Sequence, residues 1–354
     1  MKKYLLLTLI GLSGAISTTG AVSYSPPVGG MTITVPTGLT QHVSLPLLHA
    51  AVGPGAIRGR IDSLATSSFT VPTAGWTAGA FSNPVNPYYL RIISGSAAGR
   101  LYMVTTTANS ATQVNVFNEG TDLAQHGVTA GANGDVYELV LADTLLSLFG
   151  TTTLQGGADP VAADNVQVWG GASWLVFYFN TTRGRWELNS DNAASPSRNN
   201  FVLRPDRGIM IVRRAATQLN FVITGRVPEL APKLAHLRPG FSSLSLGVPA
   251  AVTLGTLGLQ TRTLGWQSGT PSTAAVSADL IQVWGGASFL TFYFDSVNMR
   301  WQLLGEISQT NRDTFAIQAG RPVMIRRGAA ANNVAESLVP MVLPYTIVTS
   351  QNPI

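Results

Sequence analysis

Hydrophobic residues alternate between two faces along the run 174–179, and this pattern predicts a β-strand. Successive side chains of a strand point to opposite sides of a sheet. One face carries Leu175, Phe177 and Phe179, and the other carries Trp174, Val176 and Tyr178. Gly170-Gly171 lies just before the run and permits a tight turn. A polar turn and then Arg185-Trp186 follow it, so the segment is predicted to be a β-meander.

The same pattern occurs a second time in the chain. Residues 164–188 and 279–303 align without gaps and are identical at 15 of 25 positions. The similarity continues from FVLRPDRGIMIVRR at 201–214 to FAIQAGRPVMIRR at 315–327. One face of the central strand is retained and the other changes, which is expected when the retained face lies in a core. The two segments are therefore interpreted as an internal repeat.

The segment 22–142 lacks this repeat but is also predicted to be β-rich. Short apolar runs recur in it at a spacing of about ten residues and are separated by Gly, Pro and Asn. Asn133-Gly134 is typical of a two-residue hairpin turn. This spacing favours a small barrel or a sandwich.

We therefore predict an all-β fold, with an N-terminal barrel- or sandwich-like domain. Two related β-meander units follow and are expected to pack as a pseudo-twofold C-terminal region. The predicted boundaries are a signal peptide at 1–21, an N-terminal β domain at 22–142, repeat unit 1 at 143–228, a connector at 229–251, and repeat unit 2 with the C-terminal tail at 252–354.

Composition indicates a folded protein and argues against binding to nucleic acid. The 354 residues are 45% hydrophobic and 11% charged, whereas disordered chains are charged and poor in apolar residues. The formal net charge is +5. However, Lys2 and Lys3 lie in the predicted signal peptide, and the arginines are scattered along the chain. The sequence therefore lacks the basic stripe that nucleic-acid recognition requires.

The N-terminus has the three regions of a secretory signal peptide. Lys2 and Lys3 precede an apolar run at 4–17, and small residues follow at 19–21. This run is too short for a comfortable membrane span, and no later run is long enough. The chain has no cysteine and therefore no disulfide. We predict an exported protein of the periplasm, the cell surface or the extracellular space, with no transmembrane span after signal cleavage.

Three patterns together resemble a family of exported proteins. They are SPPVGGMTITVP at 25–36, YYLRIISGSAAGR at 88–100, and the two FYF…W blocks that each end in an arginine pair. The chain resembles an uncharacterised family of β-rich proteins of about this length, found as multiple paralogues in Verrucomicrobia. The resemblance covers essentially the whole mature chain. It implies export and a β-rich fold, and it carries over no activity.

No catalytic, cofactor-binding or metal-binding residue is predicted. The histidines show no metal-ligand spacing: they are His42, His49, His126 and His236. Asp164 and Asp279 are retained in both copies, but each lies just before a strand, where Asp caps a turn. A capping role is favoured over a pair of glycosidase carboxylates. The Asx-rich run 189–200 has one carboxylate, so an ordinary loop is favoured over a calcium site.

Repeated tryptophans and arginines are the candidates for ligand binding. The aromatic candidates are Trp169, Trp174, Trp186, Trp284 and Trp301. Such rings stack on sugars where they are exposed and pack in the core where they are buried. The cationic candidates are Arg213, Arg214, Arg326 and Arg327. Arginines at these positions bind carboxylates or phosphates, or they protect a sheet edge from pairing.

The function expected from the sequence is that of an exported, non-enzymatic, structural or surface-associated protein of the cell envelope. The first alternative is a carbohydrate- or ligand-binding module of a secreted assembly, and the second is a hydrolase. The expected partners are cell-surface or matrix components or other copies of the chain. A cleft with converging carboxylates would favour the hydrolase, and exposed aromatic rings would favour the binding module.

Overall fold

The computed structural model describes residues 27–49, 57–118, 120, 122–230, 233–234, 239–263, 265–328, 339–340 and 343–345. The predicted signal peptide at 1–21 lies outside the described residues.

The described residues form short strands and a few single-turn helices. The first strands are β1 (Val28–Val35) and β2 (Thr40–Val43). The next are β3 (Ile57–Arg60), β4 (Ser63–Ala65), β5 (Ser68–Thr70), β6 (Tyr88–Ile92), β7 (Leu101–Val104), β8 (Gln113–Phe117) and β9 (Val136–Leu141). These are followed by β10 (Asp143–Thr144), α1 (Leu145–Phe149), β11 (Asn165–Trp169), β12 (Trp174–Asn180), β13 (Arg185–Leu188), β14 (Val202–Leu203), β15 (Ile209–Val212) and β16 (Leu219–Arg226). The last are β17 (Lys233–Leu234), β18 (Gly240–Leu244), β19 (Val252–Thr253), α2 (Leu254–Leu257), α3 (Leu259–Arg262), α4 (Ala274–Ser277), β20 (Leu280–Trp284), β21 (Phe289–Asp295), β22 (Arg300–Leu303), β23 (Ala316–Ile317), β24 (Val323–Arg327) and β25 (Val339–Pro340).

Each repeat unit forms a five-stranded antiparallel sheet, and the two sheets have the same strand order. The sheet of unit 1 runs β13-β12-β11-β15-β2, and that of unit 2 runs β22-β21-β20-β24-β18. The two-stranded ribbons also correspond, since β10 pairs with β14 as β19 pairs with β23. The all-β fold predicted from the sequence is therefore confirmed.

The edge strand β2 reveals a connectivity that the sequence pattern did not indicate. The sequence boundaries assign Thr40–Val43 to the N-terminal domain at 22–142, whereas the structure pairs this strand with β15 of unit 1. Likewise β1 pairs with β16, as β17 pairs with β25 in unit 2. The residues at 57–141 are thus inserted between two segments of unit 1.

This inserted segment has a sheet and a core of its own. Its seven strands run β3-β9-β6-β7-β8-β5-β4, and the sheet curls into a half-barrel. Phe69, Trp76 and Tyr137 pack together in its interior. An ion pair joins the segment to unit 1, with Arg226 Nη1 lying 2.7 Å from Glu138 Oε1.

The two repeat units contact each other through equivalent residues. Trp169 Nε1 donates a hydrogen bond to the carbonyl oxygen of Phe241 at 2.9 Å. At the matching position, Trp284 Nε1 donates to the carbonyl oxygen of Thr40 at 2.8 Å. The strand registers make Thr40 of β2 equivalent to Phe241 of β18. Each unit therefore binds the edge strand of the other through a tryptophan at the equivalent position.

Backbone hydrogen bonds are exchanged between the units in the same reciprocal way. The amide of Ser44 donates to the carbonyl of Gly320 at 2.9 Å, and the amide of Ser245 donates to the carbonyl of Asp206 at 3.1 Å. Both donors directly follow an edge strand, and each acceptor lies in the turn before the strand that pairs with the edge strand of the acceptor's own unit. Reciprocal contacts of this kind define a twofold interface. The units thus pack in the pseudo-twofold arrangement that the repeat predicts.

The core of each unit is built from the face that the repeat retains. Phe177 and Phe292 are each 1% exposed. Behind them Trp186 packs on Phe179 and Phe149, and Trp301 packs on Phe294. Burying an aromatic side chain of this size contributes about 1.5–3 kcal/mol. The period-2 pattern therefore places these rings in the interior.

We expect the two-unit body to fold without the inserted segment. The two ends of the insertion lie close together, since His49 Nε2 is 3.9 Å from Asp143 Oδ1. Replacing residues 50–141 with four glycines closes only a short loop, and closing such a loop costs little conformational entropy. The shortened chain should keep a cooperative thermal transition and the near-ultraviolet signal of the tryptophans in the two repeat units, while the contribution of Trp76 is lost. A chain with no cooperative transition would show that the insertion is needed for the body to fold.

Candidate functional site

Asp164, one of the two carboxylates retained in the repeat, is a buried anchor within unit 1. Its side chain is fully buried. Oδ1 accepts from the backbone amide of Arg214 at 2.7 Å, and Oδ2 accepts from the amide of Gln155 at 2.7 Å. The guanidinium of Arg213 completes the set as an ion pair. The carboxylate thus ties the segment before β11 to the segment after β15.

Asp279 repeats the arrangement in unit 2. It is fully buried and accepts from the amides of Gln267 at 2.9 Å and Gly328 at 2.7 Å. Arg327 Nε lies 2.9 Å from Oδ2. Burial raises the pKa of Asp279 above its ordinary value and outweighs these hydrogen bonds. The sequence favours an Asp that caps its own turn, but in the structure both carboxylates bind the backbone of segments that are distant in the chain, together with a buried arginine.

A second buried polar network lies on the opposite face of the unit 1 sheet. Glu187 is fully buried and accepts from Asn180 Nδ2 at 2.9 Å and from Tyr178 Oη at 3.3 Å. Arg183 and Arg185 also donate to it, at 2.8 Å and 2.7 Å. Burial by itself would raise the pKa of Glu187, but these hydrogen bonds outweigh it and the pKa lies below its ordinary value.

Unit 2 has the same network with the carboxylate and the amide exchanged. Gln302 takes the position of Glu187, and Asp295 takes that of Asn180. Gln302 Nε2 donates to Asp295 Oδ2 at 2.9 Å, and Tyr293 Oη donates to Gln302 Oε1 at 2.6 Å. Each network therefore holds one carboxylate and one amide, and the paired differences between the copies compensate each other.

The predicted tryptophans divide into two groups. Trp186 and Trp301 are 1% and 0% exposed, so they pack in the cores and present no face to a ligand. Trp169, Trp174 and Trp284 are half-buried and lie at the contact between the two units. Trp169 meets Trp174 edge to face at 5.3 Å.

The predicted arginines divide in the same way. The strand registers make Arg213 equivalent to Arg327. Arg326 is equivalent to Val212, so it has no arginine counterpart in unit 1. Arg213 and Arg327 are buried in the ion pairs with Asp164 and Asp279. Arg214 is exposed, and Arg326 Nη2 donates to the carbonyl of Ala275 at 2.8 Å.

A cleft of about 570 Å³ opens where unit 1, unit 2 and the inserted segment meet. This space is called the junction cleft below. Its aromatic lining comes from all three parts, with Trp169 and Phe201 from unit 1, Phe241 from unit 2 and Phe117 from the insertion. Phe241 is 40% exposed and Phe117 is 59% exposed. Their rings are therefore open to a ligand.

Two arginines line the same cleft, Arg204 and Arg207. Asp206 holds Arg204 through two parallel hydrogen bonds, at 2.9 Å to Nε and 2.7 Å to Nη2. Arg207 Nε is 3.9 Å from the same carboxylate and has no hydrogen-bond partner among the described residues. No Asp or Glu is among the described residues that line the junction cleft. Its two arginines share the carboxylate of Asp206.

The equivalent positions in unit 2 have different chemistry. The registers of β14 and β23 and of β15 and β24 place Gln318 where unit 1 has Arg204. Phe241 of unit 2 lines the junction cleft, and the equivalent residue of unit 1 is Thr40. One arginine persists, because Arg321 corresponds to Arg207. Trp169 likewise has the equivalent Trp284, so the junction cleft differs from its counterpart at Arg204 and Phe241.

His42 lies in the interface between the units and is fully buried. The rings of Trp174 and Phe289, which are equivalent residues, flank it edge to face at 6.1 Å and 5.9 Å. Its Nε2 is 3.1 Å from Ser243 Oγ, and Nδ1 has no hydrogen-bond partner among the described residues. Burial, with a smaller contribution from the charge of Arg321, lowers the pKa of His42 to about 3.

Sequence reasoning missed Phe117, Phe241, Arg204 and Arg207 as lining residues. Phe241 and Phe117 lie outside the recognised repeat, and the two arginines lie inside the aligned stretch 201–214, where only the arginine pair at its end was singled out. Local spacing gave no signal for them, because the junction cleft joins segments that are far apart in the chain.

Within the described residues, no three or more His, Asp or Glu side chains are grouped so that they could hold a metal ion. No helix in this part of the chain is long and apolar enough to cross a membrane.

Comparison with known proteins gives no assignment. No family model matches the chain, and no curated protein or solved structure matches it significantly.

Proposed function

We propose that the protein is an exported, non-enzymatic component of the cell envelope with a structural or surface-associated role. The observation that carries this proposal is the use made of the polar residues that both copies share. Asp164 and Asp279 are buried in ion pairs, and their hydrogen bonds are directed at the backbone. Groups held in this way stabilise the fold and are not presented to a substrate.

The reciprocal contact between the repeat units also supports a structural role. Each unit closes the edge strand of the other with a tryptophan and a backbone hydrogen bond. A chain without disulfides needs such interactions to stay folded outside the cytoplasm. The buried polar networks provide further cross-links of the same kind.

The proposed export of the protein is tested by mass analysis of material from the native envelope. We expect intact protein to begin near Val22, because the small residues at 19–21 mark the cleavage site. The protein should be enriched in envelope or culture-supernatant fractions. Protein that retains Met1 and fractionates with the cytoplasm would contradict the proposal.

A second candidate function, a carbohydrate- or ligand-binding module, is favoured by the junction cleft. Its volume lies within the range of about 300–1,000 Å³ that is common for small-ligand sites, and its walls carry open aromatic rings. The hydrolase alternative lacks such support, since no carboxylate is among the described residues that line the cleft and glycoside hydrolysis requires two.

A further inference from the structure

We propose that the junction cleft binds a sugar that bears a carboxylate, such as a uronic acid unit of a polysaccharide. In this arrangement the sugar ring lies against Phe241 and Trp169, and the carboxylate lies on Arg207. The proposal rests on the second candidate function, ligand binding, and is independent of the structural role.

The aromatic rings provide the surface for the sugar. A pyranose ring has a face of C–H groups that packs on an aromatic ring, while its hydroxyl groups stay in water. Phe241 is 40% exposed, and its ring centre lies 6.3 Å from that of Trp169. The indole of Trp169 is held by its hydrogen bond to the Phe241 carbonyl at 2.9 Å. This part of the site is thus preorganised, which lowers the entropic cost of binding.

The charge of the wall selects an acid. A guanidinium forms parallel hydrogen bonds with a carboxylate, and these are stronger than bonds between neutral groups. Asp206 already occupies two donors of Arg204. Arg207 lies farther from that carboxylate, with Nε at 3.9 Å, and 24% of its side chain is exposed. A ligand carboxylate in the cleft would pair with the exposed part of this guanidinium, whereas a neutral sugar offers it no opposite charge.

The comparison of the two repeat units supports a dedicated site. Unit 2 keeps the buried anchors and core rings of unit 1 but has Gln318 in place of Arg204. Thr40 replaces Phe241 at the cleft edge. Trp169 and Arg207 have the equivalents Trp284 and Arg321 in unit 2. The combination of these two residues with Phe241 and Arg204 therefore occurs on one side of the pseudo-twofold body.

The test uses the whole mature chain and a panel of uronate trisaccharides made of galacturonate, glucuronate or mannuronate. Binding is measured by calorimetry and by tryptophan fluorescence, with neutral galactose and glucose trisaccharides for comparison. We expect at least one acidic trisaccharide to bind more tightly than the neutral ones. Arg207→Gln should weaken its binding by about 10- to 100-fold, the value of a lost charge-assisted hydrogen bond.

Matched variants separate the two parts of the site. Phe241→Ala should weaken acidic and neutral sugars alike, because it removes the stacking surface. Arg58→Gln, which removes an exposed charge from the inserted segment, should leave binding unchanged. The thermal midpoint of each variant shows that the fold is retained.

Two results would overturn the proposal in different ways. If acidic and neutral sugars bind equally and Arg207→Gln has no effect, the selection of an acid is wrong and ligand binding stands. If no trisaccharide of either kind binds to folded protein, both the acidic-sugar proposal and the carbohydrate-binding function fail.

Discussion

Replacing Gln302 with Glu is expected to lower the free energy of unfolding at pH 7 by about 3–5 kcal/mol, the usual cost of an uncompensated buried charge. Gln302 Nε2 donates to Asp295 Oδ2 at 2.9 Å, and both side chains are buried. Two carboxylates at this separation cannot both ionise without strong repulsion. One of them must then bind a proton in the folded state.

The size of this loss should depend on pH in a defined direction. The shared proton raises the pKa of one carboxylate above its unfolded value, so the deficit is small near pH 4 and grows as the pH rises. Denaturant unfolding of the variant and the wild-type chain at pH 4 and pH 7 measures it. A deficit of equal size at both values would mean that packing, rather than charge, is responsible.

The second substitution Asp295→Asn should restore most of the stability. The double variant then has the amide and the carboxylate in the positions that unit 1 uses for Asn180 and Glu187. It also offers an acceptor to Arg300 Nε, which is buried without a hydrogen-bond partner among the described residues. Its counterpart Arg185 Nε donates to Glu187 at 2.7 Å. A double variant no more stable than Gln302→Glu alone would show that the carboxylate and the amide cannot exchange positions in unit 2.

Acid should destabilise the protein through His42 by about 3 kcal/mol between pH 7 and pH 4, at 1.36 kcal/mol for each pH unit below the unfolded pKa. Burial lowers the pKa of His42 from 6.5 to about 3. The unfolded chain therefore binds a proton below pH 6.5 that the folded chain does not accept. Stability is fully present above that pH and is lost as the pH falls.

The surroundings of His42 explain why the folded chain rejects the proton. Ser243 Oγ donates to the carbonyl of Gly208 at 3.2 Å, so Nε2 carries the hydrogen of the neutral ring. Protonation of Nδ1 would place a charged donor among the rings of Trp174 and Phe289 with no acceptor. The positive charge of Arg321 adds to the cost.

The matched variants are His42→Phe and Ser243→Ala. His42→Phe keeps an aromatic ring in the interface and removes the titration, so the loss of stability between pH 7 and pH 4 should shrink by about 3 kcal/mol. Ser243→Ala removes the hydrogen-bond partner and keeps the titrating ring, so it should retain the acid sensitivity. A His42→Phe chain as sensitive to acid as the wild type would show that other groups cause the loss.

The sequence by itself determined the strand class, the repeat and the buried rings. Period-2 alternation is a local property, and the retained face of Phe177 and Phe292 follows directly from it. A structural use of Asp164 was also predicted from its position before a strand, but its actual partners at 155 and 214 are distant in the chain. These features depend on neighbouring residues, which the pattern records.

The contacts between distant segments could not be predicted from the sequence and are visible only in the folded chain. β2 is four residues long, and its sequence does not resemble that of β18, so no pattern assigned it to unit 1. The junction cleft combines Phe117, Trp169, Arg207 and Phe241, which are separated by long stretches of chain. Burial of His42 arises from the contact of two units whose interface no single repeat encodes. Edge pairing and unit packing are long-range interactions, and hydrophobic periodicity does not specify their partners.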